Sequence, residues 1–127
     1  MIKRITRLTI VVKDQDEALK WYTEKLGFVK KADNQMGPMR WLTVVPREQK
    51  EIEVVLANPK WYGGPGSEKY IGNNTTLVVD TDDCMSDYKT LKDRGVKFMG
   101  PPKEEPYGVS AVFYDLYGNP WNLLQLK

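Results

Sequence analysis

The sequence predicts an α+β fold of two tandem βαβββ modules, and an internal repeat is the main reason. Residues 7–28 read as a strand, a helix and the start of a second strand, and residues 75–96 repeat this plan more weakly, about 68 residues later. The helix cap and the glycine stop are equally far apart in residues 14–27 and 82–95. We therefore expect a single domain, residues 1–127, made of two half-modules.

The first helix is predicted between Asp14, a favourable N-cap residue, and Gly27, a typical C-terminal stop. Its apolar residues recur at spacings of three and four, which is the period of a helix with one buried face. They are Ala18, Leu19, Trp21, Tyr22 and Leu26. A strand precedes the helix at residues 7–12 and places alternate side chains on opposite faces.

Three further strands complete the first half-module. They are predicted at residues 28–32, 40–45 and 52–56. The first of them should end in a turn at Asp33 and Asn34, and the chain should turn again at residues 36–38. Because side chains alternate along a strand, Glu53 should lie on the face that Arg7 occupies.

The second half-module repeats this order of elements. They are a strand at 75–79, a helix at 83–94 capped by Asp82, and strands at 96–99, 108–114 and 121–126. The half-modules then cover residues 1–57 and 75–127, with a linker at 58–74. Eight strands and two helices result. Such an order predicts a curved mixed sheet with the helices on its outer face and an open cup on the other.

The linker, NPKWYGGPGSEKYIGNN, is rich in turn-forming residues. One explanation is a plain connection between the half-modules. The other is a flap over a pocket, because Trp61, Tyr62 and Tyr70 are large side chains for a bare linker. Loops held by a rigid scaffold often carry binding groups, so both explanations stay open at this point.

Composition and charge exclude several classes of protein. The net charge of +2 arises from 19 basic and 17 acidic residues spread along the chain, without the basic face that nucleic-acid binding requires. No apolar run approaches the roughly 20 residues of a membrane helix, and the N-terminus lacks a signal-peptide pattern. We expect a cytoplasmic protein with no nucleic-acid or membrane partner. The single cysteine, Cys84, is expected to be a small, partly buried residue.

Three segments resemble a known family. They are RLTIVVKDQDEALKWYTEKLGF at residues 7–28, NTTLVVDTDD at residues 74–83 and YDLYGNPWNLLQL at residues 114–126. Together they are similar to the glyoxalase, bleomycin-resistance and extradiol dioxygenase superfamily, also called vicinal oxygen chelate proteins. The resemblance implies two βαβββ modules whose sheets form an open cup. In the enzymes of the family it also implies a divalent metal held by His or Glu at four strand positions.

The resemblance places these four metal positions on the present sequence. Three of them fall on Arg7, on Asn74 or its neighbour Thr75, and on Asn122, and only Glu53 keeps a plausible ligand. The chain has no histidine, and a permanently charged arginine repels a dication. We therefore expect no metal, no other cofactor and no catalytic residue of the metal-dependent kind. Glu53 beside Arg7 is either part of a fold-stabilising ion pair or a lone base.

Binding of a small molecule is the function that remains. The candidate ligand-binding residues are Arg7, Trp41, Glu53, Trp61, Tyr62, Asn74, Tyr107, Phe113 and Asn122. A cup lined by such residues suits a planar, partly apolar molecule, although core packing is the commoner role for any single aromatic side chain. Trp121 alternates with Asn122 and is expected to pack beneath a helix instead.

The predicted function is a metal-independent small-molecule-binding protein, for example one that sequesters an antibiotic or a metabolite. Two alternatives stay open. The first is a metal-dependent lyase or dioxygenase with atypical ligands, and the second is a structural or regulatory member whose cup is filled by its own side chains. A homodimer is also expected, because two-module members of the family commonly pair and exposed sheet edges must be covered.

Overall fold

Two mixed β-sheets, each accompanied by one α-helix, form the protein. The computed structural model describes residues 1–49 and 51–127. The chain divides into two compact units, Met1–Gly72 and Asn73–Lys127, and the boundary falls inside the predicted linker. The predicted α+β class is confirmed.

The first unit contains one helix and a four-stranded sheet. Its elements are β1 (Arg7–Val11), α1 (Gln15–Glu24), β2 (Val29–Met36), β3 (Met39–Val45) and β4 (Glu53–Ala57). The strand order is β1-β4-β3-β2, and β1 runs parallel to β4 while the other neighbours are antiparallel. The predicted order of strand, helix and three strands is therefore confirmed for this unit.

The second unit repeats this plan with one additional strand. Its elements are β5 (Leu77–Asp80), α2 (Cys84–Asp93), β6 (Lys97–Phe98), β7 (Lys103–Glu105), β8 (Gly108–Tyr114) and β9 (Pro120–Leu126). The order is β5-β9-β8-β6, β5 is parallel to β9, and β7 also pairs with β8. The described residues thus hold nine strands, not the eight predicted, because the three residues of β7 are too short to show a period-two pattern.

Both helices begin at an aspartate and end before a glycine. Asp14 accepts a hydrogen bond from the backbone N–H of Glu17 at 2.9 Å, which confirms the first cap. In α2 the cap is Asp83, which accepts from the N–H of Ser86 at 3.0 Å, and the prediction of Asp82 was wrong by one residue. Two neighbouring aspartates are equally good caps on propensity alone, so the sequence pattern could not separate them.

Strand β2 continues where a turn was predicted. Asp33 and Asn34 lie within the strand and pair with Leu42 and Trp41 of β3. The chain reverses only at Gly37, whose φ of 59° suits a glycine. The prediction of a turn at Asp33 and Asn34 was therefore wrong, because ladder pairing with β3 outweighs the turn preference of these two residues.

The segment that joins the two sheets contains a folded loop. Ser67–Tyr70 forms a short 3-10 helix. Ser67 is 1% exposed, and its hydroxyl donates to the carbonyl of Pro59 at 2.5 Å. Asn58 accepts a hydrogen bond from the backbone N–H of Lys60 at 2.8 Å. These bonds give the segment internal structure that a bare linker would lack.

Aromatic rings connect α2 to its sheet. The ring of Tyr88 meets Phe98 at 4.7 Å between centroids, Phe98 lies 5.6 Å from Phe113, and Phe113 stacks on Trp121 at 6.2 Å. This row defines the helix-facing side of the second sheet, and it confirms the expected position of Trp121.

No helix in residues 1–49 and 51–127 is long and apolar enough to cross a membrane.

Gly108, at the start of β8, is a position that only glycine can fill. Its φ is 152°, and a Cβ built there would lie 2.0 Å from the carbonyl oxygen of Gln125 on β9.

We expect Gly108→Ala to lower the free energy of unfolding by about 3 kcal/mol or more, because the backbone has to move to relieve the contact. Urea denaturation measures this loss. Gly100→Ala is the control, with nothing within 4 Å of its added Cβ, and an equal loss there would contradict the explanation.

Arg40 joins three elements of the first unit. From β3 its Nε and Nη2 donate to the two carboxylate oxygens of Asp33 on β2 at 2.9 and 3.0 Å, and its Nη1 donates to Asp16 of α1 at 2.6 Å. These charge-assisted hydrogen bonds hold the pKa of Asp33 below its ordinary value and raise the pKa of Arg40 above its own.

The lowered pKa of Asp33 predicts a specific acid sensitivity. A carboxylate with a depressed folded-state pKa contributes stability that is present above its unfolded pKa of about 3.9 and is lost as the pH falls through the folded-state value. The free energy of unfolding should therefore drop more steeply toward about pH 3 in the unchanged protein than in Asp33→Asn. Urea titrations at several pH values measure the difference, with Glu48→Gln as an exposed control. Parallel pH profiles for the unchanged protein and Asp33→Asn would contradict the assignment.

Candidate functional site

Arg7 and Glu53 meet on one face of the first sheet. They are direct partners in the parallel β1–β4 ladder, and Nη2 of Arg7 lies 3.4 Å from Oε2 of Glu53. The Glu53 side chain is 15% exposed and that of Arg7 is 46% exposed. The expectation that both side chains share a face is confirmed, and the ion pair offered as one explanation for them is present.

Thr43 completes the surroundings of Glu53 and was missed by the sequence analysis. Its hydroxyl is fully buried and donates to Oε1 of Glu53 at 2.7 Å. Thr43 pairs with Val55 in the β3–β4 ladder, which puts it beside Glu53 on the same face. Both carboxylate oxygens of Glu53 are therefore engaged, one by a cation and one by a hydroxyl.

Trp41 lies on the same face as Thr43, two residues before it on β3. The guanidinium carbon of Arg7 is 5.7 Å from the centroid of the Trp41 ring, which is a cation–π contact. Arg7, Trp41, Thr43 and Glu53 form what we call the Arg7 cluster. It combines a flat aromatic face, a positive charge and a neutralised carboxylate.

The Arg7 cluster does not fit a divalent metal ion. Glu53 is its one carboxylate, and that group already accepts a hydrogen bond from Thr43 and is ion-paired with Arg7. A metal would have to displace a permanently charged guanidinium and then remain beside it. Across residues 1–49 and 51–127, His, Cys, Asp and Glu form no group of three or more with metal-binding geometry.

In the second unit, Asn122 holds the most unusual polar atom. It lies on β9 between Val78 of β5 and Val112 of β8, on the face opposite Trp121. Its Oδ1 is buried and has no hydrogen-bond partner among the described residues. Buried polar atoms almost always have a partner, so this oxygen requires an explanation.

Asn74 does not lie in a strand. Its backbone N–H donates to Oδ1 of Asn119 at 2.9 Å, and β5 begins only at Leu77. The resemblance linked Asn74 to the start of the first strand of the second half-module, whereas that strand, β5, covers Leu77–Asp80. The link of Asn74 to a family ligand position therefore depended on a strand start that was predicted too early, and its role in ligand binding stays a prediction.

Phe113 does not share a face with Asn122. It is 1% exposed and stacks on Trp121 on the side that faces α2. Its neighbour Val112 is the residue of β8 that pairs with Asn122. The expectation that Phe113 lines the same surface as Asn122 was wrong, because it depended on the register between two strands that the sequence does not reveal.

The remaining aromatic candidates lie in loops or at strand ends. Trp61 is partly buried and Tyr62 is 39% exposed in the loop before the 3-10 helix. Tyr107 is 50% exposed between β7 and β8. Their roles in binding stay predictions. So does the single cavity shared by Arg7, Glu53, Asn74 and Asn122, since these residues belong to two units.

A depression of about 560 Å³ lies at the C-terminal end of α2. Tyr88, Lys92, Phe98 and Pro101 are among the residues that line it, and the lining includes none of the candidate ligand-binding residues. It is broad and open, so it lacks the enclosure by which small-molecule sites hold their ligands.

Cys84 is placed for packing and not for nucleophilic chemistry. The residue is fully buried at the start of α2, and its Sγ donates to the carbonyl of Leu123 at 3.6 Å. Burial, followed by the charges of Asp87 and Asp83, raises the pKa of the thiol. A thiolate is therefore disfavoured at this position.

Comparison with known proteins gives a consistent family. The family model described as Glyoxalase/Bleomycin resistance protein/Dioxygenase superfamily matches residues 4–123. An uncharacterized protein of Shewanella frigidimarina (strain NCIMB 400) is 38% identical, with 100% of this chain and 96% of that protein covered. The crystal structure of UcmS2 has a TM-score of 0.87 and 36% identity, with 98% of both chains covered. The structure of TnmS3, an antibiotic binding protein from Streptomyces sp. CB03234, has a TM-score of 0.81 and 33% identity, with 99% of this chain and 98% of that chain covered.

The two partners of Glu53 should contribute unequally to stability. We expect Thr43→Val to lower the free energy of unfolding by about 1–3 kcal/mol, because it leaves a buried carboxylate oxygen without its donor. Arg7→Met should cost about 1 kcal/mol or less, because Arg7 is about half exposed to solvent. Urea denaturation measures both losses. Thr9→Val, the same exchange on a half-buried threonine of β1, is the control, and a larger loss from Arg7→Met than from Thr43→Val would contradict this order.

Proposed function

Because the chain belongs to the glyoxalase/bleomycin resistance protein/dioxygenase superfamily, we propose that it binds a small organic molecule without using a metal ion. The observation that carries the proposal is the state of Glu53, whose two oxygens are occupied by Arg7 and Thr43. A dication approaching this carboxylate would meet the permanent positive charge of Arg7 beside it. The metal-dependent lyase or dioxygenase is the alternative, and the same observation disfavours it.

The Arg7 cluster suits a planar, partly apolar ligand. Trp41 offers a flat apolar ring, and Arg7 offers hydrogen-bond donors that Glu53 does not use. The ion pair to Glu53 and the contact with Trp41 restrict the guanidinium, so less conformational entropy is lost when a ligand binds. A guanidinium plane and an indole plane both stack on aromatic ligands.

Sequestration of an antibiotic or a metabolite is the finer form of this proposal. It is supported by the likeness to TnmS3, which is named an antibiotic binding protein, over almost the whole of both chains. Binding without turnover is the chemistry that such a role requires. The homodimer and the cytoplasmic location expected from the sequence stay predictions.

Tryptophan fluorescence and thermal shift test the proposal with a panel of planar aromatic antibiotics. We expect saturable binding that raises the melting temperature and is unchanged by EDTA, because no metal takes part. Arg7→Ala and Trp41→Ala should each weaken binding about tenfold, since each removes a central contact. Arg47→Ala, an exposed arginine of the β3–β4 loop, is the matched control for Arg7→Ala. Loss of binding in EDTA, or turnover of a ligand restored by a divalent metal, would support the metal-dependent enzyme instead.

A further inference from the structure

The side-chain oxygen of Asn122 is a buried acceptor without a donor in the described part of the chain. Leaving such an atom unpaired destabilises a folded protein, so its retention requires an explanation, and a role at a functional site is one of the recognised ones. We infer that Asn122 selects ligands that carry an O–H or N–H group, by accepting a hydrogen bond from it. This inference rests on the proposed function, because it specifies the chemistry of the ligand that the protein binds.

The neighbours of Asn122 describe the rest of the surface. Val78 and Val112 flank it in one row across β5, β9 and β8. Leu124, two residues further along β9, shares this face by alternation and pairs with Ser110. Val78 is 56% exposed, so the row can be reached from solvent. Asp80 of β5 also pairs with Leu124, so the amide of Asn122 is flanked by two valines, and the polar side chains of Asp80 and Ser110 lie one row further along the same face.

The amide can present its oxygen to a ligand on this surface. Asn122 as a whole is only partly buried, although its Oδ1 is not exposed. The terminal torsion of an asparagine is broad and soft, so a small rotation about χ2 brings Oδ1 toward a ligand that covers Val78. The opposite side of the sheet offers no such access, because Phe113 and Trp121 fill it.

The chemistry of the ligand follows from these two features. An apolar row favours a flat hydrocarbon surface, and a lone acceptor favours one donor group on that surface. A phenol, an enol, an amide or an amine supplies such a donor, whereas an ether or a ketone does not. A ligand that lacks the donor buries the oxygen still further without a partner, so its binding is weaker.

The test compares 2-naphthol with its methyl ether, 2-methoxynaphthalene, in which a methyl group replaces the donor hydrogen, and the Asn122 variants below correct for the added methyl group. We expect the protein to bind 2-naphthol about fivefold more tightly, the size of one neutral hydrogen bond. Asn122→Leu should abolish this preference, and it should also raise the melting temperature of the free protein by about 3 °C, because it removes an unpaired buried oxygen. Asn122→Asp keeps an acceptor oxygen at the same position and should keep the preference. Fluorescence titration and thermal unfolding give both readings.

The controls separate this inference from the proposed function. Asn73→Leu, the same exchange at an exposed residue outside the sheet, should leave the ratio of the two affinities unchanged. The same ratio of the two affinities in the unchanged protein and in Asn122→Leu would overturn the role of Asn122 and leave small-molecule binding intact. A lower melting temperature in Asn122→Leu would also overturn it, because the amide would then have a structural partner such as a bound water. Failure of both probes to bind at millimolar concentration would count against the proposed function and the inference together.

Discussion

The neutralisation of Glu53 is the interaction on which the chemistry of the first unit depends. The side chain of Glu53 is 15% exposed, and burying a carboxylate to this extent is costly unless it has partners. Arg7 supplies the opposite charge and Thr43 supplies a hydrogen bond, so the charge is tolerated on a sheet face whose neighbours are apolar. The same two contacts occupy the oxygens that a metal would use. One interaction therefore stabilises the strand pairing and restricts the functions open to the site.

The two units use equivalent positions in different ways. The N–H of Val12 donates to the carbonyl of Ala57 in the first unit, and that of Thr81 donates to Leu124 in the second. Both donors precede their helix cap by two residues, so the two bonds are equivalent. Val55 lies two residues before the acceptor Ala57, and Asn122 lies two residues before the acceptor Leu124. The equivalent position thus holds a buried valine in one sheet and, in the other, an asparagine whose Oδ1 has no hydrogen-bond partner among residues 1–49 and 51–127, so the selection inferred for Asn122 would act in the second unit.

The sequence predicted the position of a side chain correctly where a local pattern determines it. It failed where the position depends on how two strands pair. Alternation along β1 and β4 placed Arg7 and Glu53 on one face, because the period of a strand is two residues. Phe113 was misplaced because its face depends on the register between β8 and β9, which no local pattern encodes. Asn74 was misplaced because the strand after it was predicted to start at residue 75, whereas the pairing with β9 that defines β5 starts at Leu77.

The buried thiol of Cys84 has a practical consequence. Cys84 is the one cysteine in the chain and is fully buried, and its thiol donates a hydrogen bond to the carbonyl of Leu123. A thiol reagent can reach it only when α2 separates from β9. The rate at which such a reagent modifies the native protein therefore reports the opening free energy of the second unit, without an engineered label. A ligand that binds only the second unit would slow this modification by the factor 1 + [L]/Kd, where [L] is the free ligand concentration. Labelling kinetics would therefore show whether the ligand binds the unit that contains Cys84.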